Sequence, residues 1–235
     1  MMMTLTRRKR RKAVFAIVGV TLLVGLVFST VRVQDFRYRP YLHETLYLPS
    51  GKFLKEMSLG YRQFVADLVW LSAVQYYGGY RKGNHDLRYF QGLIDLVVTL
   101  DPHFIFAYVF GALVVSEDLG VFDDGMAILK HGMSANPTSW ELPFEIGFLN
   151  YVNRLDNAMA ARYLDLASRM PGAPEYTDRF AAFVYNKAGD TDSSIRLWEA
   201  YKEHTDSPFL KELAERYIEK IKQSIAREGT ASDAQ

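Results

Sequence analysis

The longest apolar run in the chain is Ala13 to Val31, AVFAIVGVTLLVGLVFSTV, nineteen residues without a charge, bounded by Arg7–Lys12 on one side and Arg32 on the other. As a helix rising 1.5 Å per residue it spans roughly 28 Å, about one hydrocarbon thickness. Its exit, Phe28-Ser29-Thr30-Val31-Arg32-Val33, carries bulky residues where signal cleavage requires small ones, so an uncleaved signal anchor is expected. Val33 to Ser50 holds Pro40 and Pro49, shows no period and reads as a juxtamembrane connector, after which Ser50-Gly51 opens a helical stretch near Lys52. The end of the chain shows a helical face instead: Phe209, Leu210, Leu213, Ala214, Tyr217, Ile218 and Ile221 are apolar with Glu and Lys between them.

Between these stretches the punctuation is regular. Pro102, Pro137, Pro174 and Pro208 are 35, 37 and 34 residues apart, and second breaks fall between them at Gly83, Gly120, Arg154 and Gly189, spaced 37, 34 and 35. Two helices of a dozen residues, a Gly- and Asp-rich turn and a closing proline make one unit of that length, so the body is expected to be an all-α stack of helical hairpins. One hairpin cannot cover its own apolar face, and stacking supplies the core. Small residues at Gly125, Gly132, Ala160 and Ala167 are expected where helices cross closely.

These units resemble the tetratricopeptide repeat family. Residues 185 to 208, YNKAGDTDSSIRLWEAYKEHTDSP, match best, with Tyr185 closing one helix, Gly189 turning, Ser194 in a small-residue slot and Trp198 packing as the aromatic of the second helix. Residues 102 to 137 match nearly as well through Ala112, Gly120, Phe122, Gly125 and Gly132; the unit from Pro137 to Pro174 offers Gly147, Ala160, Leu164 and Ala167 but lacks the turn glycine, and the unit before Pro102 is degenerate. Leu48 to Arg81 is similar to the opening segment of membrane-anchored bacterial repeat proteins. The expected organisation is a basic stub (1–12), a transmembrane segment (13–31), a connector (32–50), a solenoid of about four hairpins plus a capping helix (51–226), and a frayed tail (227–235).

Charge adds a topology. The chain has 28 Lys and Arg against 27 Asp and Glu, yet six of the bases lie in Arg7–Lys12, and without them 22 bases face 27 acids. A basic run directly before a span stays cytoplasmic, which places the body across the membrane, in the periplasm of a Gram-negative cell. A mildly acidic body is a poor phosphate binder, so nucleic acid is not the expected partner. The absence of cysteine removes disulfides, thiol nucleophiles and Cys-ligated metals.

Catalytic chemistry is not expected. His43, His85, His103, His131 and His204 stand singly, without the paired spacing a metal site needs. Glu117-Asp118, Asp123-Asp124 and Asp190 with Asp192 sit in turns before helix starts, where carboxylates cap free N–H groups. No GxSxG, GxGxxG or GxxxxGK[ST] motif occurs, and no cofactor or metal is expected.

What stands out is an aromatic content of 15 Tyr, 15 Phe and 3 Trp. The resemblance implies that the first helix of each hairpin lines a concave binding face, which would hold Trp70, Tyr77, Tyr80, Phe106, Phe144, Phe148, Tyr151, Tyr176, Arg179 and Phe183. Such a groove suits an apolar or amphipathic protein segment. The competing reading is that these aromatics are core, where each would bury about 150–250 Å². The function expected is a membrane-anchored scaffold for a protein partner of an envelope complex; the alternative is an accessory subunit of a transporter or pilus machine, bound mainly through its spanning helix.

Overall fold

Where the sequence breaks, the helices end. The computed structural model describes Thr21 and residues 51–84 and 86–232. The basic stub, the connector, His43, His85 and the proposed span lie outside the described residues, apart from Thr21, which is helical. No helix among the described residues is long and apolar enough to cross a membrane.

The described residues from 51 to 232 fall within one compact unit. Ten helices build it: α1 (Gly51–Met57), α2 (Arg62–Arg81), α3 (Phe90–Leu100), α4 (Ile105–Glu117), α5 (Phe122–Ala135), α6 (Glu141–Leu149), α7 (Asn157–Ser168), α8 (Tyr176–Lys187), α9 (Thr191–His204) and α10 (Pro208–Ser232), with a π-helical turn at Asn150–Arg154 and no strand among the described residues. Consecutive helices pack as hairpins, α2 on α3, α4 on α5, α6 on α7 and α8 on α9, and α10 closes the stack against α9. First helices also meet across units, α4 against α6.

Each hairpin turns on a left-handed residue. Gly83, Gly120 and Gly189 take φ of 76°, 70° and 83° at the three glycine turns. The third hairpin, which has no glycine there, uses Leu155 at φ 53°. Asp156 and Asp190 stand one residue beyond their turns and accept the backbone N–H of Met159 (2.9 Å) and Ser193 (3.0 Å), so these two turns share one capping plan. The π-helical turn reaches Leu155 by adding length to α6, and Asp156 N–H closes it on the Asn150 carbonyl at 3.2 Å. It also redirects side chains: Arg154 pairs with Asp123 at 2.6 Å and stacks 4.4 Å over the Phe122 ring, while Asn153 donates to Glu117. A left-handed leucine costs roughly 1–2 kcal/mol, and glycine gives back part of that through unfolded-state entropy. Leu155→Gly is therefore expected to raise stability by up to about 1 kcal/mol, read as a higher denaturation midpoint with unchanged slope.

Close crossings are made where small residues were expected. A Cβ on Gly132 would stand 2.8 Å from the Tyr108 ring, and one on Gly125 would stand 2.8 Å from the Ala112 carbonyl. Gly147 against Leu164 and Gly111 against Ile94 repeat the device in the neighbouring contacts. Ala160, Ala167 and Ser194 are fully buried, and Ser194 donates to the Ala182 carbonyl at 2.6 Å. Asn136 ties two units together, donating to the Pro102 carbonyl (2.8 Å) and meeting His103 Nδ1 through its side-chain oxygen (2.8 Å).

The helical stretch that opens near Lys52 is α1, and Leu59 (φ 47°) and Gly60 (φ 94°) reverse the chain between α1 and α2. Three expectations are corrected. Helix α10 continues to Ser232, past Arg227, where the frayed tail was expected to begin. Phe209, read as part of the inward face of α10, is 63% exposed because it sits in the first turn, beyond the reach of α9. Asp118 and Asp123 are not caps, for Asp118 accepts the Tyr77 hydroxyl at 3.0 Å and Asp123 pairs with Arg154.

The two ends of the stack differ. On the first, Tyr61, Phe64, Leu68 and Leu71 recur at spacings of three and four, and all are exposed. On the last, the outer side of α10 carries Glu212, Glu215, Arg216, Glu219, Lys220 and Lys222, with Lys202–Glu215 (2.8 Å) and Lys222–Glu199 (3.8 Å) bridging to α9.

Candidate aromatic binding face

The first helices α4, α6 and α8 each bury one side against their hairpin partner, which leaves the aromatics of the other side at the surface. None of the ten expected residues belongs to the fully buried core. Phe106 is 59% and Tyr176 43% exposed, and Trp70, Tyr77, Tyr80, Phe144, Phe148, Tyr151, Arg179 and Phe183 are half-buried. The core is instead aliphatic and small, with Tyr76, Phe90, Tyr108, Trp198 and Tyr201 as its aromatic members.

Ring contacts gather them into neighbouring groups. Trp70 packs edge-on against Phe106 (5.6 Å) and Phe110 (5.5 Å) and tilted against Phe104 (5.3 Å), which joins α2 to α4. Tyr77 turns toward Phe90 (6.0 Å) and Phe110 (5.2 Å) and spends its hydroxyl on Asp118, so with Tyr80 beside it (6.1 Å) it serves the joint between hairpins. Farther along, Trp140, Phe144 and Tyr176 form a triangle with centroid distances of 5.9, 6.1 and 5.6 Å. A third group gathers on Phe180, which touches Phe144 (6.0 Å), Phe148 (6.3 Å) and Tyr151 (5.5 Å), with Tyr151 reaching Phe183 at 6.3 Å.

Two depressions open on this face. One, of about 330 Å³, lies between α4, α6 and α8 and is lined by Ile105, Phe106, Val109, Trp140, Glu141, Phe144, Glu145 and Tyr176. The other, of about 250 Å³, is bounded by Tyr176, Arg179, Phe180, Phe183, Trp198, Leu213 and Tyr217. There the Arg179 guanidinium lies 5.6 Å from the Tyr201 ring, while its Nε is buried without a hydrogen-bond partner. Tyr176 is shared by both depressions, and burial, then Glu141, pushes its hydroxyl above the ordinary phenol range.

Glu145 is the chemically unusual group. Burial alone pushes its carboxyl up to about 7. Among the described residues no cation pairs with it and no donor bonds to it, whereas Glu141, one turn earlier, accepts the Ser139 hydroxyl at 2.8 Å. Asp178 and Asp95 are also shifted up by desolvation, but a hydrogen bond from Ser168 and the charge of His131 respectively offset part of the effect.

No protein-family model matches the chain, and no curated protein does. Two crystal structures of MamA are similar to it. One, at 17% identity and a TM-score of 0.41, covers 65% of this chain and 95% of its own; the other, at 17% and 0.44, covers 73% and 96%. Likeness of that degree bears on no ligand or partner.

Among the described residues no group of three or more His, Asp or Glu could hold a metal ion. The expected row omitted Trp140, Phe110, Phe180 and Glu145. A signal existed for two of them: Phe110 and Phe180 each follow a row member, Phe106 and Tyr176, at the i+4 spacing of one helical face. Trp140 precedes its helix, in the N-cap position of α6.

Proposed function

We propose that the chain is a membrane-anchored scaffold of the tetratricopeptide kind, whose hairpin stack holds a protein partner of an envelope assembly on the extracytoplasmic side. The observation that carries this reading is the aromatic face of α4, α6 and α8, which keeps large rings half-exposed beside two depressions when burial in the core was the alternative. Aromatic anchors in partly desolvated depressions are the usual energetic centres of protein interfaces. The uncharged run Ala13–Val31 and its basic flank support the anchor and its orientation. The chain carries no catalytic role in this reading.

Photo-crosslinking tests it in the full-length chain in its native membrane. A photoreactive residue at Phe148 is expected to give a discrete adduct, and one at exposed Arg162 on α7 is expected to give none. With the photoreactive residue moved to Phe180, which touches both rings, Phe144→Ala with Phe148→Ala should reduce the adduct at least tenfold while leaving the helical signal intact. Equal labelling from both sides, or no loss in the double variant, would sink the assignment of this face. Orientation is checked separately, because protease added to spheroplasts should degrade the body.

The exposed row Tyr61, Phe64, Leu68 and Leu71 favours a second reading, in which the chain is an accessory subunit of an integral membrane complex joined near the bilayer. Exchanging Ala13–Val31 for an unrelated span distinguishes the two, since loss of complex membership would favour the second.

A further inference from the structure

The depression between α4, α6 and α8 combines two features that apolar sites do not need together. Its walls are aromatic: Phe106 from α4, Trp140 and Phe144 at the start of α6, and Tyr176 from α8. Its polar lining is anionic, because Glu141 and Glu145, four residues apart, both face it. Apolar packing would be served better by Leu or Met at position 145. A carboxylate partly withdrawn from water without a partner is costly in any fold, and a cation supplied from outside relieves that cost.

Aromatic faces attract the same species. Trp, Tyr and Phe rings present negative π-faces that hold ammonium and guanidinium groups within about 6 Å, most strongly when water is excluded. The volume of about 330 Å³ is at the small end of ligand cavities, which suits one long side chain better than a larger molecule. The methylene stem of lysine or arginine would lie along Ile105, Val109 and the rings, and its charge would reach the carboxylates. Among the described residues no lysine or arginine lines the depression; Arg179 borders the adjacent one.

We infer that this depression receives a lysine or arginine side chain of the partner segment, gripped by the Phe106, Trp140, Phe144 and Tyr176 rings and paired with Glu145. The inference rests on the scaffold reading and gives it a recognition rule, an apolar or amphipathic segment with one basic residue among its anchors. Continuity of the depression with the Phe144–Phe180 ring cluster favours a protein side chain over a lipid headgroup, since the flanking residues of a segment have rings to lie on.

The test uses the full-length chain in non-ionic detergent and three probes: the peptide Ac-Ala-Leu-Lys-Leu-Ala-NH2, its norleucine counterpart, and choline as a headgroup mimic. Peptide-observed NMR at pH 8.5 is expected to show the lysine peptide binding at least tenfold tighter than the norleucine peptide. In Glu145→Gln that preference should fall to threefold or less, with the thermal transition of the variant retained. Lowering the pH to 5.5 should also erase it in the parent chain. The groups facing Glu145 that bear on this pH arm are Glu141 on its own helix and Tyr176 on α8; the α4 wall contributes none. Equal binding of lysine and norleucine peptides, or a preference that survives Glu145→Gln, overturns the cation site while leaving an apolar groove in place. Tighter binding of choline than of the lysine peptide assigns the cavity to a headgroup and overturns the side-chain occupant. Failure of both peptides, with choline also silent, overturns this inference, and the Phe148 crosslink decides separately whether the scaffold reading goes with it.

Discussion

Gly125→Val is expected to cost at least about 3 kcal/mol and to lower the urea midpoint accordingly. The new Cβ alone would stand 2.8 Å from the Ala112 carbonyl of α4, and backbone cannot rotate away. The Ser116 hydroxyl beside the same position can turn aside, but two further methyls cannot be housed in a buried crossing. Gly78 is the control. It also lies within a helix, in the last turn of α2, and a Cβ there meets nothing within 4 Å, so Gly78→Ala should stabilise by up to about 0.5–1 kcal/mol through helix propensity alone. Similar losses in both variants would mean that helix propensity, not the close crossing, governs these glycines.

A second large effect is expected at Glu145, and its sign depends on pH. The carboxyl titrates near 4.5 when unfolded and is pushed up to about 7 in the fold. Between those values the folded chain binds the extra proton, so this group's stabilising contribution is complete below pH 4.5 and is lost as the pH rises through 7. Glu145→Gln does not titrate. The stability of the variant relative to the parent should therefore shift in the variant's favour by about 1–3 kcal/mol between pH 4.5 and pH 8, as followed by denaturation midpoints at both values. A gap that does not change with pH would show that the carboxylate is solvated, and the desolvation assigned to the α4–α6–α8 depression would be wrong. Retention of a group that destabilises the free chain at neutral pH is what a binding site for a cation would entail.

The hairpin boundaries were legible because helix ends are decided locally. A proline removes an N–H, and a glycine adopts positive φ, whatever the rest of the chain does. Pro102, Pro137 and Pro174 each precede a first helix, Pro208 opens the closing helix α10, and Gly83, Gly120 and Gly189 each divide a pair. The third turn was harder to read, since Leu155 carries no turn signal and reaches its conformation only through the π-helical turn before it. The break at Leu59 was hidden for the same reason, although Gly60 beside it was a visible clue.

The face was legible in outline and not in detail. Spacing within one helix places Phe144 and Phe148 on one side, but which rings of α6 meet which of α8 depends on how the helices are rotated when stacked. Tyr77 shows the limit, for its position suggested a groove and its contacts make it part of a joint. Glu145 shows the opposite limit. Between Phe144 and Ile146 it reads as an ordinary solvated glutamate, and only the approach of α4 and α8 in space strips away part of its water.

The unequal ends described for the stack give it a direction that water can sense. Solvent wets the charged outer side of α10, whereas at the α2 end it must border a strip of four large apolar side chains. For any further helix the two ends are therefore unequal: lying along α2 would bury apolar area, while at α10 it would first have to strip hydration from lysines and glutamates.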